Sequence, residues 1–449
     1  MKVAFSTLGC RVNVYETEAM TEKFIKQGYE IVDFNEVADV YVINTCTVTN
    51  MGDKKSRQMI SRGRRQNSKA IIAVVGCYSQ IAPEEVSKID GVDVVLGTRN
   101  KGDIVYWVNR AMEEKNQVIE VKDVLRNKEF EELNIEEYRD KTRAFLKIQD
   151  GCNRFCSYCL IPFARGAVCS KKPEKIMEEV KKLSKHGFKE IILSGIDIAS
   201  YGFDLEGKYN LTSILEEIDK VEGIERIRIG SIDPTFFTEE EIIRISKLKR
   251  FCPHFHLSLQ SGCNETLKRM NRKYTVEQYK EIVHNLRTNI ESVSITTDII
   301  VGFPGETEEE FNKTYEFLRD IKLSKMHVFK FSPRKGTRAE EMKNQVDGKI
   351  KEERSNKIIN LDKNLEKEFM NKFIEKEMPV LYEQETKEKG IFEGYTPNYI
   401  KIYSKSSKDI TGEIINTTLK EVLRILLKEK FIRVEGFLIY LLNISLNRR

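Results

Sequence analysis

The sequence predicts an α/β protein in three parts. These are a parallel-sheet α/β domain at the N-terminus, a partial barrel of six βα repeats, and a small C-terminal β-barrel. Three observations predict this. Over residues 1–115 short apolar runs alternate with amphipathic helical stretches. A second series of six runs begins at Ala144. After residue 375 the pattern changes to short strand-like segments separated by turn residues. Apolar strands joined by helices imply parallel sheets, because each crossover needs a helix to return the chain.

In the first part KVAFSTLG, DVYVINT, AIIAVVG and VDVVLG read as strands. NVYETEAMTEKFIKQG and GDKKSRQMISRGRRQ read as helices between them. Residues 116–140 are charged and weakly patterned, as expected of a linker. In residues 141–372 the six strand candidates are RAFLKIQ, EIILSGI, RIRIGSI, HFHLSLQ, SITTDIIVGF and MHVFKFS. Six repeats predict a barrel open on one side. Residues 340–372 are strongly charged and helical. Within 373–415, PVLYEQE, GIFEGY, YIKIYSK and TGEIIN predict short antiparallel strands. Residues 416–449 read as a helical, apolar tail where closing strands are expected.

The 449 residues carry 75 Lys+Arg against 70 Asp+Glu, which permits an acidic partner without demanding one. MKVAFSTLGC is too short in its apolar run for a signal peptide. No apolar run reaches the roughly 18 residues of a membrane span. The longest, FLIYLLNISL, falls short. No membrane span and a cytoplasmic location are the expectation. In a reducing compartment nine cysteines point to free thiols or metal ligands rather than disulfides.

DGCNRFCSYCLIPFARG, residues 150–166, crowds Cys152, Cys156 and Cys159 into one stretch. A structural zinc site wants four ligands, commonly as two pairs. The i, i+4, i+7 spacing also fits one face of a buried helix. Gly151 and Pro162 around the stretch weaken that reading. A cubane iron–sulfur cluster fits the inventory better, because three thiolates leave one iron open to a ligand that is not protein.

Three more cysteines each follow an apolar run directly: Cys10 in TLGC, Cys46 in INTC and Cys77 in VVGC. Strand C-termini of a parallel sheet lie along one edge, so the three thiols can converge there. Buried free cysteine is common, but the same structural position is hit three times. A second three-thiolate cluster is the favoured reading. Cys169, Cys252 and Cys263 read as packing residues. His254 and His256 alternate on one strand face in a structural role.

Candidate RNA contacts lie in EGYTPNYIKIYSK, where Tyr395, Tyr399 and Tyr403 interleave with Lys401. Aromatic faces and cations suit stacking and phosphate contact on single-stranded RNA. Tyr399, Lys401 and Tyr403 also alternate as an ordinary half-buried strand does. KKSRQMISRGRR, with Arg57, is either a second basic contact or a solvated helix face.

CxxxCxxC resembles the motif of the radical S-adenosylmethionine (SAM) superfamily. With TLGCRVNVYETE, NTCTVTNMGDKKSRQ, GCNRFCSYCLIPFARG, HLSLQSGCNETLKRMNRKYT and FSPRKGTRA, nearly the whole chain resembles the methylthiotransferases, most of all their MtaB-type branch. The resemblance implies an N-terminal three-cysteine domain, a radical SAM barrel and a TRAM domain. It implies two 4Fe–4S clusters, with Cys152, Cys156 and Cys159 binding the catalytic one and Cys10, Cys46 and Cys77 the other. SAM contacts are expected from Tyr158, from Ser194 and Gly195 in SGIDIASYG, from Gln260, and from Asp298 and Gly302 in TTDIIVGFPGE. The expected reaction is 2-methylthiolation of N6-threonylcarbamoyladenosine at tRNA position 37. The implied partners are the tRNA anticodon stem-loop, a flavodoxin-like reductase or other electron donor, and a sulfur donor. A ribosomal-protein methylthiotransferase and a non-catalytic metal-containing RNA-binding protein are the alternatives. An aromatic C–H offers no handle for polar catalysis, and no P-loop, HExxH or hydrolytic triad is evident.

Overall fold

Six parallel strands form the first sheet of the computed structural model. It describes residues 1–47, 50–126, 129–133, 135, 142–207, 209–421, 425–428 and 431–434. The sheet order is Glu30–Val32, Lys2–Thr7, Val40–Thr45, Ile71–Gly76, Val94–Leu96 and Val118–Glu120. The four inner strands are the runs expected from sequence. They are apolar throughout because helices cover both faces, among them Arg11–Lys26 and Asn50–Gln66.

The two edge strands are new. Val118–Glu120 corrects the reading of 116–140 as a linker, since its start completes the sheet. Leu133 and Ile135 of the same segment are buried in the central core. Three-residue edge strands are too short to show a period.

The central part holds Arg143–Lys147, Glu190–Ser194, Arg226–Ile229, His254–Leu257, Ser294–Val301 and Lys325–Lys330, all pairing in parallel. The short strand Ser231–Ile232 carries the chain from one sheet to the next across Gly230. The result is an open six-repeat βα barrel, as expected. Helices return the chain between strands, and Val276–Asn289 and Glu308–Ile321 start with capping boxes at Thr275 and Thr307. One core runs through this part and includes Tyr15 and Ala19 of the first helix. Tyr15 donates to Leu133 O at 2.6 Å and to Glu179 Oε1 at 3.1 Å. The N-terminal part is therefore packed onto the edge strand of the barrel.

The C-terminal part is a curled antiparallel sheet in the order Lys401–Lys405, Ile391–Tyr395, Glu377–Glu385 and Ile414–Thr418. Ile425–Lys428 and Phe431–Val434 form a separate hairpin. This corrects the helical reading of the 416–449 tail at residues 425–428 and 431–434. Continuous Ile/Leu runs fit a helix and a buried strand equally well, so periodicity could not decide. FLIYLLNISL lies outside the described residues. No described helix is long and apolar enough to cross a membrane.

Candidate active site

Cys10, Cys46 and Cys77 stand at the C-terminal ends of three directly paired strands. Gly9 adopts φ +100° there, and a Cβ on it would lie 2.7 Å from Cys46 Cβ and 2.9 Å from its Sγ. Only glycine lets the first strand end press against the second thiol. Gly76, also at positive φ, packs its α-carbon against Asn44 and Thr45 in the same way. Asn13 ties the edge together, donating to Leu8 O at 2.7 Å and Thr45 O at 2.9 Å. Cys77 is buried, whereas Cys10 is exposed to a cavity. The surrounding protein still pushes the Cys10 thiol pKa up by desolvation, partly offset by Arg165.

The second triad lies in the loop between strand Gln149–Asp150 and helix Ile161–Arg165. The helix-face reading fails here. Gly151 (φ +73°) and Phe155 (φ +48°) turn the chain, and the three thiols come from a loop. Two arginines clamp it. Arg272 donates to Cys156 Sγ at 3.3 Å and to Asp233 at 2.7 Å. Arg154 pairs with Asp197 at 2.8 Å and Asp233 at 3.0 Å. Burial is the largest influence on both Cys152 and Cys159; it raises Cys152 and pushes Cys159 up to about 12. Mutual repulsion among the three thiols adds to it.

A buried charge network backs Cys77. Glu16 pairs with Lys101, with Lys147 at 2.8 Å and with Arg165 at 2.5 Å. Lys147 also reaches Asp150 at 2.6 Å. All five side chains are fully buried. Burial alone would raise the Glu16 and Asp150 pKa values, but the surrounding cations hold both well below the usual carboxylate range. Arg165 Nε points at Cys77 Sγ, 3.4 Å away, and Arg165 stands six residues after Cys159. With Arg99 and Glu131 at its margin, the network holds four cations against three carboxyl groups. A buried surplus of positive charge is costly alone. It suits a neighbouring group that carries negative charge, as thiolate-bound iron–sulfur clusters do. Among the described residues no three His, Cys, Asp or Glu side chains are grouped closely enough to hold a metal ion.

A cavity of about 1620 Å³ opens between the three parts. Cys10, Arg11, Ser194, Gly195, Asp298 and the C-terminal Tyr395, Tyr399, Lys401 and Tyr403 all line it. Gln149 links the loop to the Ser194–Gly195 strand end: its Oε1 accepts from Asp197 N at 2.7 Å, and a Cβ on Gly195 would meet that atom at 2.8 Å. Gln260, at φ +70°, pairs through its backbone with Asp298 and Ile300. Gly302, at φ +70°, donates to Glu306 at 2.7 Å. Tyr158 sits edge-on to Phe303 of the Gly-Phe-Pro-Gly turn, with centroids 6.2 Å apart. Gln260, Gly302 and Tyr158 do not line the cavity.

The expected strand alternation of Tyr399, Lys401 and Tyr403 is corrected. Tyr399 precedes the strand, at φ +69°, and turns inward between His254 and Tyr395 with centroids 4.6 and 4.8 Å away. Lys401 pairs with Glu393 at 2.7 Å. Arg57 lies away from the cavity, donating to Tyr78 at 2.8 Å and Glu85 at 3.2 Å. His254 and His256 share a face, both within 3.2 Å of Thr296 Oγ1.

Two family descriptions match the chain. The Radical SAM superfamily covers residues 146–318, and uncharacterized protein family UPF0004 covers residues 2–97. The chain is 44% identical, over 93% of its own length and 93% of the relative's, to threonylcarbamoyladenosine tRNA methylthiotransferase MtaB of Bacillus subtilis (strain 168). The chain belongs to the MtaB-type radical SAM methylthiotransferases. It is an enzyme. The Aquifex aeolicus (strain VF5) protein of the same name is 43% identical over 93% of this chain and 100% of that relative. The solved radical SAM methyltransferase TsrM from Kitasatospora setae shares the fold at TM-score 0.55 and 15% identity, covering 73% of this chain and 72% of that one.

Sequence reasoning missed Glu16, Asp150, Lys147, Arg165, Asp197, Asp233 and Arg272. All but Asp233 lie inside motifs or strand runs quoted above, where a charged residue beside a cysteine or within an apolar run is the available signal. Their pairing with one another, and Asp233 altogether, is visible only in three dimensions.

Proposed function

We propose that the enzyme transfers a methylthio group to C2 of N6-threonylcarbamoyladenosine at position 37 of tRNA, using SAM and two 4Fe–4S clusters. The observation that carries this reading is a single cavity running from Cys10 past Ser194, Gly195 and Asp298 to the aromatic C-terminal sheet. The names of the two MtaB relatives supply the nucleoside. In this reading Cys152, Cys156 and Cys159 hold the radical cluster and Cys10, Cys46 and Cys77 the auxiliary one. When bound, these groups supply a 5′-deoxyadenosyl radical for the C2 position and a sulfur that is methylated and delivered to it.

The chain's own residues fix that chemistry in place. Arg154 and Arg272, anchored on Asp197 and Asp233, hold the three-cysteine loop rigid. Arg165 brings positive charge to Cys77. Tyr158 and Phe303 form an edge for the SAM adenine. Ser194, Gly195, Gln260, Asp298 and Gly302 position SAM at the strand ends, where βα folds place ligands. Tyr395, Tyr399, Lys401 and Tyr403 meet the anticodon loop, with Arg57 on an outer phosphate. Residues 1–115, 141–372 and 373–415 serve as the auxiliary-cluster, radical SAM and TRAM domains. A flavodoxin-like reductase, a sulfur donor and tRNA are the partners, in the cytoplasm.

Nucleoside analysis of tRNA from a deletion strain tests the reading. The 2-methylthio form of N6-threonylcarbamoyladenosine is expected to vanish and to return with the plasmid-borne gene. Undiminished 2-methylthio nucleoside would reject the assignment.

A further inference from the structure

Directly after Cys10, the first helix begins with Arg11, whose side chain reaches into the cavity. Its Nη2 donates to the Tyr399 hydroxyl at 3.0 Å, and the guanidinium carbon lies 5.6 Å from the centroid of the Phe145 ring. Neither neighbour is a carboxylate; burial opposes ionisation of the Tyr399 hydroxyl, but Arg11, Arg143 and Arg228 together lower its pKa. Among the described residues no carboxylate comes within ion-pair distance of Arg11, whereas the other arginines around Tyr399 are served. Arg143 is bidentate on Glu383, at 2.7 and 2.8 Å. Arg228 pairs with Glu190 at 3.1 Å. Arg226 spends its guanidinium on the Tyr395 and Pro379 carbonyls at 2.9 and 2.8 Å. The group holds four arginines against two carboxylates, and its unanswered donor faces open space.

The partner hydroxyl is fixed. Tyr399 is sandwiched between His254 and Tyr395, and Arg228 lies over its ring at 4.5 Å. A planar guanidinium held by one bond to a rigid hydroxyl keeps its remaining donors arranged for two oxygens in one plane. That is the geometry a carboxylate wants.

We propose that Arg11, with the Tyr399 hydroxyl, is the receptor for the carboxylate on the N6 substituent of the target adenosine, and so sets substrate choice. This rests on the function proposed above. The chemistry fits the position. C2 and the carbon bearing N6 are separated by one ring nitrogen, so a base presenting C2 near Cys10 brings its N6 substituent to the wall that Arg11 occupies. A neutral apolar substituent there would leave the guanidinium partly desolvated and unpaired, which a polar site rejects strongly. SAM also carries a carboxylate, so the test separates the two sources.

Anticodon stem-loops carrying A37, N6-threonylcarbamoyl-A37 or N6-dimethylallyl-A37 are titrated against anaerobically reconstituted enzyme by fluorescence anisotropy. Wild type is expected to prefer the threonylcarbamoyl form over A37. Arg11→Gln is expected to lose about 10- to 100-fold in affinity for that form alone, the range of a charge-assisted pair. Arg11→Lys recovers part of the loss. Tyr399→Phe, which keeps the stacked ring, loses less than Arg11→Gln.

A preference intact in Arg11→Gln overturns the inference while leaving the proposed function standing. Equal weakening of all three stem-loops also overturns it, by assigning the guanidinium to an RNA phosphate. So does weaker SAM binding, measured by equilibrium dialysis without RNA, with the stem-loop preference unchanged. A wild-type enzyme that neither prefers nor methylthiolates the threonylcarbamoyl form removes the proposed function itself, and this inference with it.

Discussion

The two thiol triads are built in opposite ways. Cys152, Cys156 and Cys159 come from one loop, held by Arg272 reaching in from the barrel and by the loop's own Arg154 reaching out to Asp197 and Asp233. Cys10, Cys46 and Cys77 come from three strand ends and are held by the sheet itself. The clamps differ as well. Arg154 retains about a fifth of its side-chain exposure (21%), whereas Glu16, Lys101, Lys147 and Arg165 behind Cys77 retain none. A loop needs partners it can grip from outside. A sheet edge is already rigid, so its surroundings are free to supply charge. In the proposed function this contrast matches two jobs: the loop would hold the radical cluster in reach of SAM, and the sheet edge would hold the auxiliary cluster against the buried positive charge.

The largest expected effect distinguishes the triads by reaction. Cys156→Ala is expected to abolish 5′-deoxyadenosine formation from SAM in the reduced enzyme. Cys46→Ala is expected to keep that product while losing tRNA methylthiolation. If both variants lose SAM cleavage equally, the two triads do not have separate roles.

A smaller effect compares the clamps. Glu16→Gln leaves Lys101, Lys147 and Arg165 with only Asp150 and the marginal Glu131, and breaking such a buried set costs about 3–5 kcal/mol. Asp233→Asn weakens its pairs with the partly exposed Arg154 and the buried Arg272 while keeping an oxygen to accept from them, and is expected to cost less, about 1–3 kcal/mol. Urea denaturation of the metal-free proteins measures both, and a reversed order would contradict the comparison.

The smallest effect is a pH dependence. Glu16 and Asp150 are held below the ordinary carboxylate range, so the folded state binds fewer protons there than the unfolded chain. Their contribution is complete above about pH 5 and is lost as pH falls through the lowered folded values. The stability difference between wild type and Glu16→Gln is therefore expected to be flat near neutrality and to shrink only in acid. A difference that grew on acidification would reverse the sign.

The fold was legible where the chain uses long, uniform patterns. The four inner strands of the first sheet and the six barrel strands are apolar runs bounded by helices. Val118–Glu120 was not legible, because three residues at a sheet edge carry no period. Ile425–Lys428 was misread because its apolar run lacks alternation. The six cysteines stood out as candidates in the sequence, three through spacing and three through place at strand ends. The charges that serve them were not visible. Glu16 and Lys147 look like solvated helix and strand residues until Arg165 is folded between them. Tyr399 looked like a strand-face aromatic because nothing in the letters announces φ +69°.

The central claim is that Cys10, Cys46 and Cys77 hold a second cluster independent of the loop. The direct measurement is iron and acid-labile sulfide, with EPR after reduction, on protein carrying Cys152→Ala, Cys156→Ala and Cys159→Ala together and reconstituted under anaerobic conditions. The account predicts about four irons and four sulfides per chain with a reduced-cluster signal, both lost when Cys10→Ala is added. A triple variant holding no iron would contradict it.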